Sequence, residues 1–289
     1  MKLPDVEKRE KWTSSLLGWS ELLLVVMFLA FRTYATIQTP SPYIGPEVIP
    51  APQQDRTEVS VPLKRGDFKM WRYAPTQPEF ATHPKAVIIF GSGDGGFDGW
   101  EDRVCKALQA DGYDVIGFDC SLYAQTDYDL ATLQADMDTI AQNSLSRDAG
   151  PATPVILGGW SMGAVQAVAA AGGPHRPAGV TGLLLISPGD RGRYGLRDAD
   201  RWNVSPTGDG TFALADFATS LDGLRVAQWD GKLDLLGSTK WLDAMSATHR
   251  AFHFDYGLHD YDGASDAFLI ELKKSVAWIL AQPGSESSL

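Results

Sequence analysis

The chain has 289 residues, 44% of them hydrophobic and 21% charged, ordinary proportions for a globular protein. Its net charge of −11, with no cluster of Lys or Arg to contact phosphates, argues against nucleic-acid binding. The only cysteines, Cys105 and Cys120, fall in an expected helix and just past an apolar strand. They are read as buried, unpaired thiols, with a disulfide as the alternative in an oxidising compartment.

The chain opens with an apolar stretch, Leu16–Phe31, broken only by Gly18, Ser20 and Glu21. Lys8, Arg9 and Lys11 flank it on one side and Arg32 on the other. Counted from Ser14 to Tyr34, it spans about 30 Å as a helix. No clean A-x-A cleavage site follows, so residues 14–34 are expected to be an uncleaved transmembrane signal anchor. Residues 1–13 form the cytoplasmic tail, and the anchor is expected to hold a single-pass protein in an inner membrane with the following domain outside the cytoplasm. A cleaved signal peptide, leaving a soluble periplasmic protein, and a packed amphipathic helix are the alternatives. Residues 35–57 are a Pro-rich linker, with Pro40, Pro42, Pro46, Pro50 and Pro52 making a stiff spacer. Residues 1–33 carry +1, which leaves −12 for the rest of the chain. So acidic a domain is repelled by an anionic lipid surface, and a tether would keep it close to one.

Residues 58–283 read as one α/β domain, and 284–289 as a tail. Glu58–Leu63 and Asp67–Tyr73 suggest an early antiparallel pair. Ala86–Phe90 is a continuous apolar run, the mark of a parallel strand buried on both faces. It empties into Gly91-Ser92-Gly93-Asp94-Gly95-Gly96-Phe97, where no Lys-Ser/Thr pair follows, so a P-loop is disfavoured. Helix Glu101–Asp111, strand Tyr113–Phe118 and a helix around Leu130–Asn143 come next. The apolar run Pro154–Leu157 then leads into Gly159-Trp160-Ser161-Met162-Gly163 and the small-residue helix Ala164–Ala171. Strand, G-x-S-x-G and helix form the nucleophile elbow of an α/β-hydrolase, in which Ser161 sits at the apex of a strained turn. Gly159 and Gly163 lack side chains because strand and helix approach too closely there for a Cβ. A backbone N–H from Met162 and one from the glycine-rich loop, Asp94 or else Gly93, would form the oxyanion hole.

Val180–Ile186 is a further strand, and Ser187–Ser220 is a weakly periodic stretch, either a lid over the site or an extended loop. Strand Leu224–Trp229 runs into Asp230-Gly231-Lys232-Leu233-Asp234. The expected chain order of nucleophile, acid and histidine puts the acid here: Asp234 by its G-x-x-D spacing, with Asp230 next and Asp255 and Asp190 as further alternatives. Of the five histidines, His83 precedes the serine and His175 follows the elbow helix too closely. His249 and His253 precede or sit inside the apparent strand Arg250–Phe254. His259, in the loop before a final helix Ala264–Leu280, is the expected general base. Phe268, Leu272, Val276 and Leu280 give that helix one packed face.

Three motifs together carry a family resemblance: Ser92-Gly93-Asp94-Gly95-Gly96 followed by an aromatic, Gly159-Trp160-Ser161-Met162-Gly163, and Leu258-His259-Asp260-Tyr261-Asp262-Gly263. The chain resembles the VirJ/AcvB virulence-associated serine hydrolases over residues 85–280. It differs in carrying Phe97 for a tryptophan, Trp160 and Met162 for the elbow Tyr and Phe, and Leu258 before the histidine. The resemblance implies an α/β-hydrolase fold, a mostly parallel sheet with helices on both faces, here preceded by the transmembrane helix. It implies a periplasmic enzyme that removes the aminoacyl group from aminoacylated (lysyl-)phosphatidylglycerol. The catalytic set would be Ser161, Asp234 and His259, with no cofactor and no metal. Asp94, Asp98 and Asp119, on loops at the C-terminal edge of the sheet, are candidates to pair with a cationic acyl group. A small-ester or peptide hydrolase and a non-catalytic periplasmic assembly protein are the rival readings. Nothing in the sequence indicates an oligomeric state.

Overall fold

A computed structural model describes residues 56–147, 153–198, 200, 204–255, 257–259, 261 and 265–281, which fall within one unit, Gln54–Leu289. The expected transmembrane helix, residues 14–34, and the linker before Arg56 lie outside the described residues. Among those described, no helix is long and apolar enough to cross a membrane.

Eight strands form one sheet: β1 (Thr57–Leu63), β2 (Gly66–Tyr73), β3 (Val87–Gly91), β4 (Asp114–Phe118), β5 (Val155–Trp160), β6 (Val180–Ile186), β9 (Arg225–Gly231) and β10 (Thr248–Phe254). Their order across the sheet is β1-β2-β4-β3-β5-β6-β9-β10. The β1–β2 and β2–β4 pairings are antiparallel and the rest parallel. The sheet is therefore mostly parallel, as the apolar runs imply.

Successive strand residues go to opposite faces, and each face has its own core. Val87, Ile89, Leu157, Leu183 and Leu185 pack with α3 (Leu130–Arg147) and α4 (Met162–Gly172) through residues such as Leu133 and Val168. Ile88, Phe90, Ile156, Leu184 and Ile186 pack with α1 (Gly99–Gln109) and α5 (Ser265–Leu280) through Val104, Leu108, Phe268 and Leu272. A single turn, α2 (Cys120–Tyr123), follows β4. Both cysteines are buried and free in the structure.

Two departures from the expected elements bear on the site. Strand β9 runs on through Asp230 and Gly231, because β10 pairs Asp230 with His253 and Gly231 with Phe254. Asp230 is thus the penultimate residue of a strand, and only Asp234 lies in the turn beyond. The stretch 187–220 is more than an extended loop. It holds a short hairpin of β7 (Arg191–Arg193) and β8 (Thr211–Ala213), followed by a 3-10 helix, Leu214–Leu221. Arginines organise it: Arg191 donates to the Pro206 carbonyl, and Arg193 to the carbonyls of Thr207 and Asp209. Guanidinium-to-backbone bonds leave no hydrophobic period to read.

Candidate active site

Ser161 stands between β5 and α4 with φ 50° and ψ −112°, the strained geometry of an elbow. The tightness beneath it is a backbone effect. A Cβ on Gly159 would lie 2.5 Å from the Gly91 carbonyl oxygen, and one on Gly163 only 2.3 Å from the same atom. Both glycines are required by this close approach of β3, β5 and α4. Met162 is the first residue of α4, so its N–H has no acceptor within the helix and faces the start of the dipole.

The histidine side is built from different material. Nδ1 of His259 contacts both oxygens of Asp234, at 3.0 and 3.2 Å. The Asp234 side chain is fully buried in that pair. Its carboxylate also accepts the N–H groups of Leu236 and Gly237. Burial pushes the Asp234 carboxyl up, but the hydrogen bond and charge of His259, with the Leu236 amide, hold it down at about 2. The acid turn lies directly on the histidine loop, since a Cβ on Gly231 would sit 2.2 Å from the Gly257 carbonyl oxygen. Asp230 lies alongside without joining the pair. Its Oδ1 is buried with no hydrogen-bond partner, and burial, then the nearby Asp234 charge, pushes it up to about 6.

Ser161, Met162, His259 and Asp94 line one cavity of about 440 Å³, together with residues of the 187–220 segment such as Asp190 and Arg193. That segment therefore roofs the site. With Nδ1 held by Asp234, Nε2 is the nitrogen left for proton transfer. Strain concentrates here too. The non-glycine residues with positive φ among those described are Ser161, Ser187 and Tyr261. The Ser187 hydroxyl is 3.3 Å from the Tyr261 hydroxyl, at the back of the Asp234 turn.

The loop after β3 is fixed closely. Ser92 Oγ accepts the Cys120 N–H and donates to the Gly93 carbonyl. The Gly93 N–H is taken by Glu101 at 3.2 Å, which leaves it no free donor, and Asp94 is the loop residue that lines the cavity. Asp98 and Asp119 are not brought to the cavity, contrary to the sequence expectation. Asp98 caps α1 by accepting the Trp100 N–H, and Asp119 caps α2 by accepting the Leu122 N–H. Both carboxylates are consumed by helix starts. Among the described residues no cluster of three or more His, Cys, Asp or Glu side chains is arranged to hold a metal.

Two residues of the site escaped the sequence reading. Trp160 donates its indole N–H to the His259 carbonyl at 2.7 Å, and its ring lies 5.3 Å from the imidazole. Nothing in the sequence signals that bond across 99 positions. Glu101 is signalled, by the Asp98-x-x-Glu101 capping-box spacing.

Similarity to known proteins falls mainly on the elbow half. Residues 85–177 match the family described as bacterial virulence protein (VirJ). The match runs from the strand before the glycine-rich loop through the elbow helix and holds two of the three motifs that carry the resemblance; the one around His259 lies beyond it. No curated protein matches the chain. Solved structures share the fold. An esterase domain from Rhodothermus marinus superposes with a TM-score of 0.57 at 16% identity, covering 78% of this chain and 98% of its own. Dienelactone hydrolase from Anabaena variabilis gives 0.56 at 16%, covering 78% and 100%. Est1E from Butyrivibrio proteoclasticus gives 0.57 at 12%, covering 78% and 99%. The VirJ-matching segment thus sits in an α/β-hydrolase fold.

Proposed function

We propose that the protein is a serine hydrolase that cleaves the aminoacyl ester of an aminoacylated phosphatidylglycerol at the periplasmic membrane face. The observation that carries the hydrolase reading is the Asp234–His259 pair in the cavity lined by Ser161. Nε2 of His259 takes the Ser161 proton as Oγ attacks the ester carbonyl. The N–H groups of Met162 and Asp94 stabilise the tetrahedral oxyanion, and His259 returns the proton to the departing lipid hydroxyl. Water, deprotonated by the same nitrogen, then releases the amino acid and restores the hydroxyl.

Two features support the aminoacyl-lipid substrate. Asp94 and Asp190 line the cavity and make no ion pair among the described residues, leaving carboxylates for an ammonium group. Apolar side chains stand exposed beside the catalytic ones: Leu235, 88% exposed, and Val204 line the cavity, while Leu233 and Leu258 adjoin Asp234 and His259. An interfacial substrate accounts for apolar groups in water at that place. Residues 14–34 would supply the tether.

The test uses the full chain in phosphatidylglycerol vesicles containing lysyl-phosphatidylglycerol, with free lysine measured by mass spectrometry. Lysine release that stops in Ser161→Ala is the expected result. Turnover of short nitrophenyl esters with no lipid consumed would replace this reading with a small-ester or peptide hydrolase. No turnover and no fluorophosphonate labelling would leave a non-catalytic periplasmic assembly protein.

A further inference from the structure

Glu101 has no solvent exposure, yet it is bonded to the loop that carries Asp94 to the cavity. Both of its oxygens accept backbone N–H groups. Oε2 takes that of Asp98 at 3.1 Å, the return half of the α1 capping box. Oε1 leaves the helix and takes that of Gly93 at 3.2 Å. One carboxylate therefore fastens both ends of the segment Gly93–Asp98.

The other amides of that segment are accounted for in turn. The Gly96 N–H goes to the Gly93 carbonyl, and the Phe97 N–H to Asp119. Among the described hydrogen bonds, only the amides of Asp94 and Gly95 in this segment lack an acceptor, and Asp94 is the one that lines the cavity. Gly93 is also held from its other side. A Cβ there would lie 2.8 Å from the Trp160 ring, which is itself bonded to the His259 carbonyl.

We infer that Glu101 is a positioning residue of the oxyanion hole: by occupying the Gly93 N–H it selects the Asp94 N–H as donor and fixes it relative to Met162. This rests on the serine-hydrolase reading above. The carboxylate matters because it accepts through both oxygens and presents no donor. An amide in its place turns an NH₂ group toward one of the two loop N–H groups, and the loop must shift. A misplaced oxyanion donor weakens transition-state binding more than substrate binding, so kcat falls while KM holds.

The full chain is assayed on a short nitrophenyl ester, comparing Glu101→Gln with Asp98→Ala. The second variant removes the other half of the cap but leaves the Glu101–Gly93 bond. Glu101→Gln is expected to lower kcat about tenfold or more with KM within about twofold, and to weaken a boronic-acid transition-state mimic in parallel. Asp98→Ala is expected to lower Tm while kcat stays within about twofold. Equal kcat losses in the two variants, or a Glu101→Gln loss confined to KM, would reduce Glu101 to a helix cap and overturn the inference. Should Glu101→Gln not fold, amide hydrogen exchange on the unmodified protein decides. Protected Gly93 and fast Asp94 exchange support the assignment, and the reverse order overturns it. If Ser161→Ala retains turnover, the hydrolase reading itself fails and this inference with it. A wild-type kcat in Glu101→Gln beside an inactive Ser161→Ala removes the Glu101 role alone.

Discussion

The two halves of the candidate site are held together by different kinds of interaction. On the nucleophile side, β3, β5 and α4 meet backbone to backbone through Gly91, Gly159 and Gly163, and the position of Ser161 follows from the absence of Cβ atoms. On the histidine side, position comes from side-chain hydrogen bonds: Asp234 to His259, Trp160 to the His259 carbonyl, and Arg191 and Arg193 to the roof segment. The first half tolerates no added atom. The second has one such backbone contact, Gly231 against the Gly257 carbonyl, but otherwise loses geometry when a donor or acceptor is removed.

Asp234→Asn breaks the histidine half at its strongest bond and carries the largest expected effect. An amide in place of the carboxylate favours the wrong imidazole tautomer, and kcat should fall by about 10⁴, measured on a soluble ester. Asp230→Asn should cost less than about tenfold in the same assay, because Asp230 has no bond to His259 in the structure. Comparable losses would mean that Asp230 and Asp234 act as one unit. Gly163→Ala tests the other half. Its methyl group would lie 2.3 Å from the Gly91 carbonyl oxygen, against backbone that has nowhere to go. A loss of about 3 kcal/mol or more is expected in denaturant titration, and a loss below about 1 kcal/mol would show that β3 and α4 can separate.

Trp160→Phe keeps an aromatic ring under Gly93 but deletes the 2.7 Å bond to the His259 carbonyl. A decrease of about three- to tenfold in kcat is expected, with little change in KM, seen in steady-state kinetics. An unchanged kcat would place the burden of holding His259 on Asp234 alone.

The smallest effect is electrostatic. Asp230 is pushed up to about 6 in the folded protein, above the ordinary carboxylate value. Between about pH 4 and 6 the folded state therefore holds the proton more tightly than the unfolded state. On this group's account stability falls as pH rises through that window. Asp230→Asn removes the dependence, so the variant's Tm should gain on the wild type from pH 4 to pH 7. Asp234 has the opposite sign. Held at about 2, it contributes stability above about pH 4 that is lost as pH falls toward 2. A Tm difference for Asp230→Asn that is flat with pH would contradict the burial argument.

The same contrast governs what could be read from the amino acids. Backbone packing writes itself into the sequence as glycines at fixed spacing beside apolar runs, so β3, the elbow and α4 were legible to within a residue or two. Val180–Ile186 was legible to the residue. The acid and the histidine could be ranked by their order in the chain, and the hydrogen bond between Asp234 and His259 agrees with that ranking. Side-chain networks leave weaker traces. Asp98 and Asp119 look like free loop carboxylates until the helices they cap are placed, and the arginine-held roof has no period. In sequence Asp94 is preferred to Gly93 only narrowly. Only the Glu101 bond separates them.

The central claim is that Ser161 is a nucleophile activated by His259, and fluorophosphonate labelling of the full chain tests it most directly. A single covalent adduct is expected, mapped to Ser161 by mass spectrometry, absent in Ser161→Ala and formed at least about 100-fold more slowly in His259→Ala. An unlabelled wild-type protein, or labelling that persists unchanged in either variant, would contradict it.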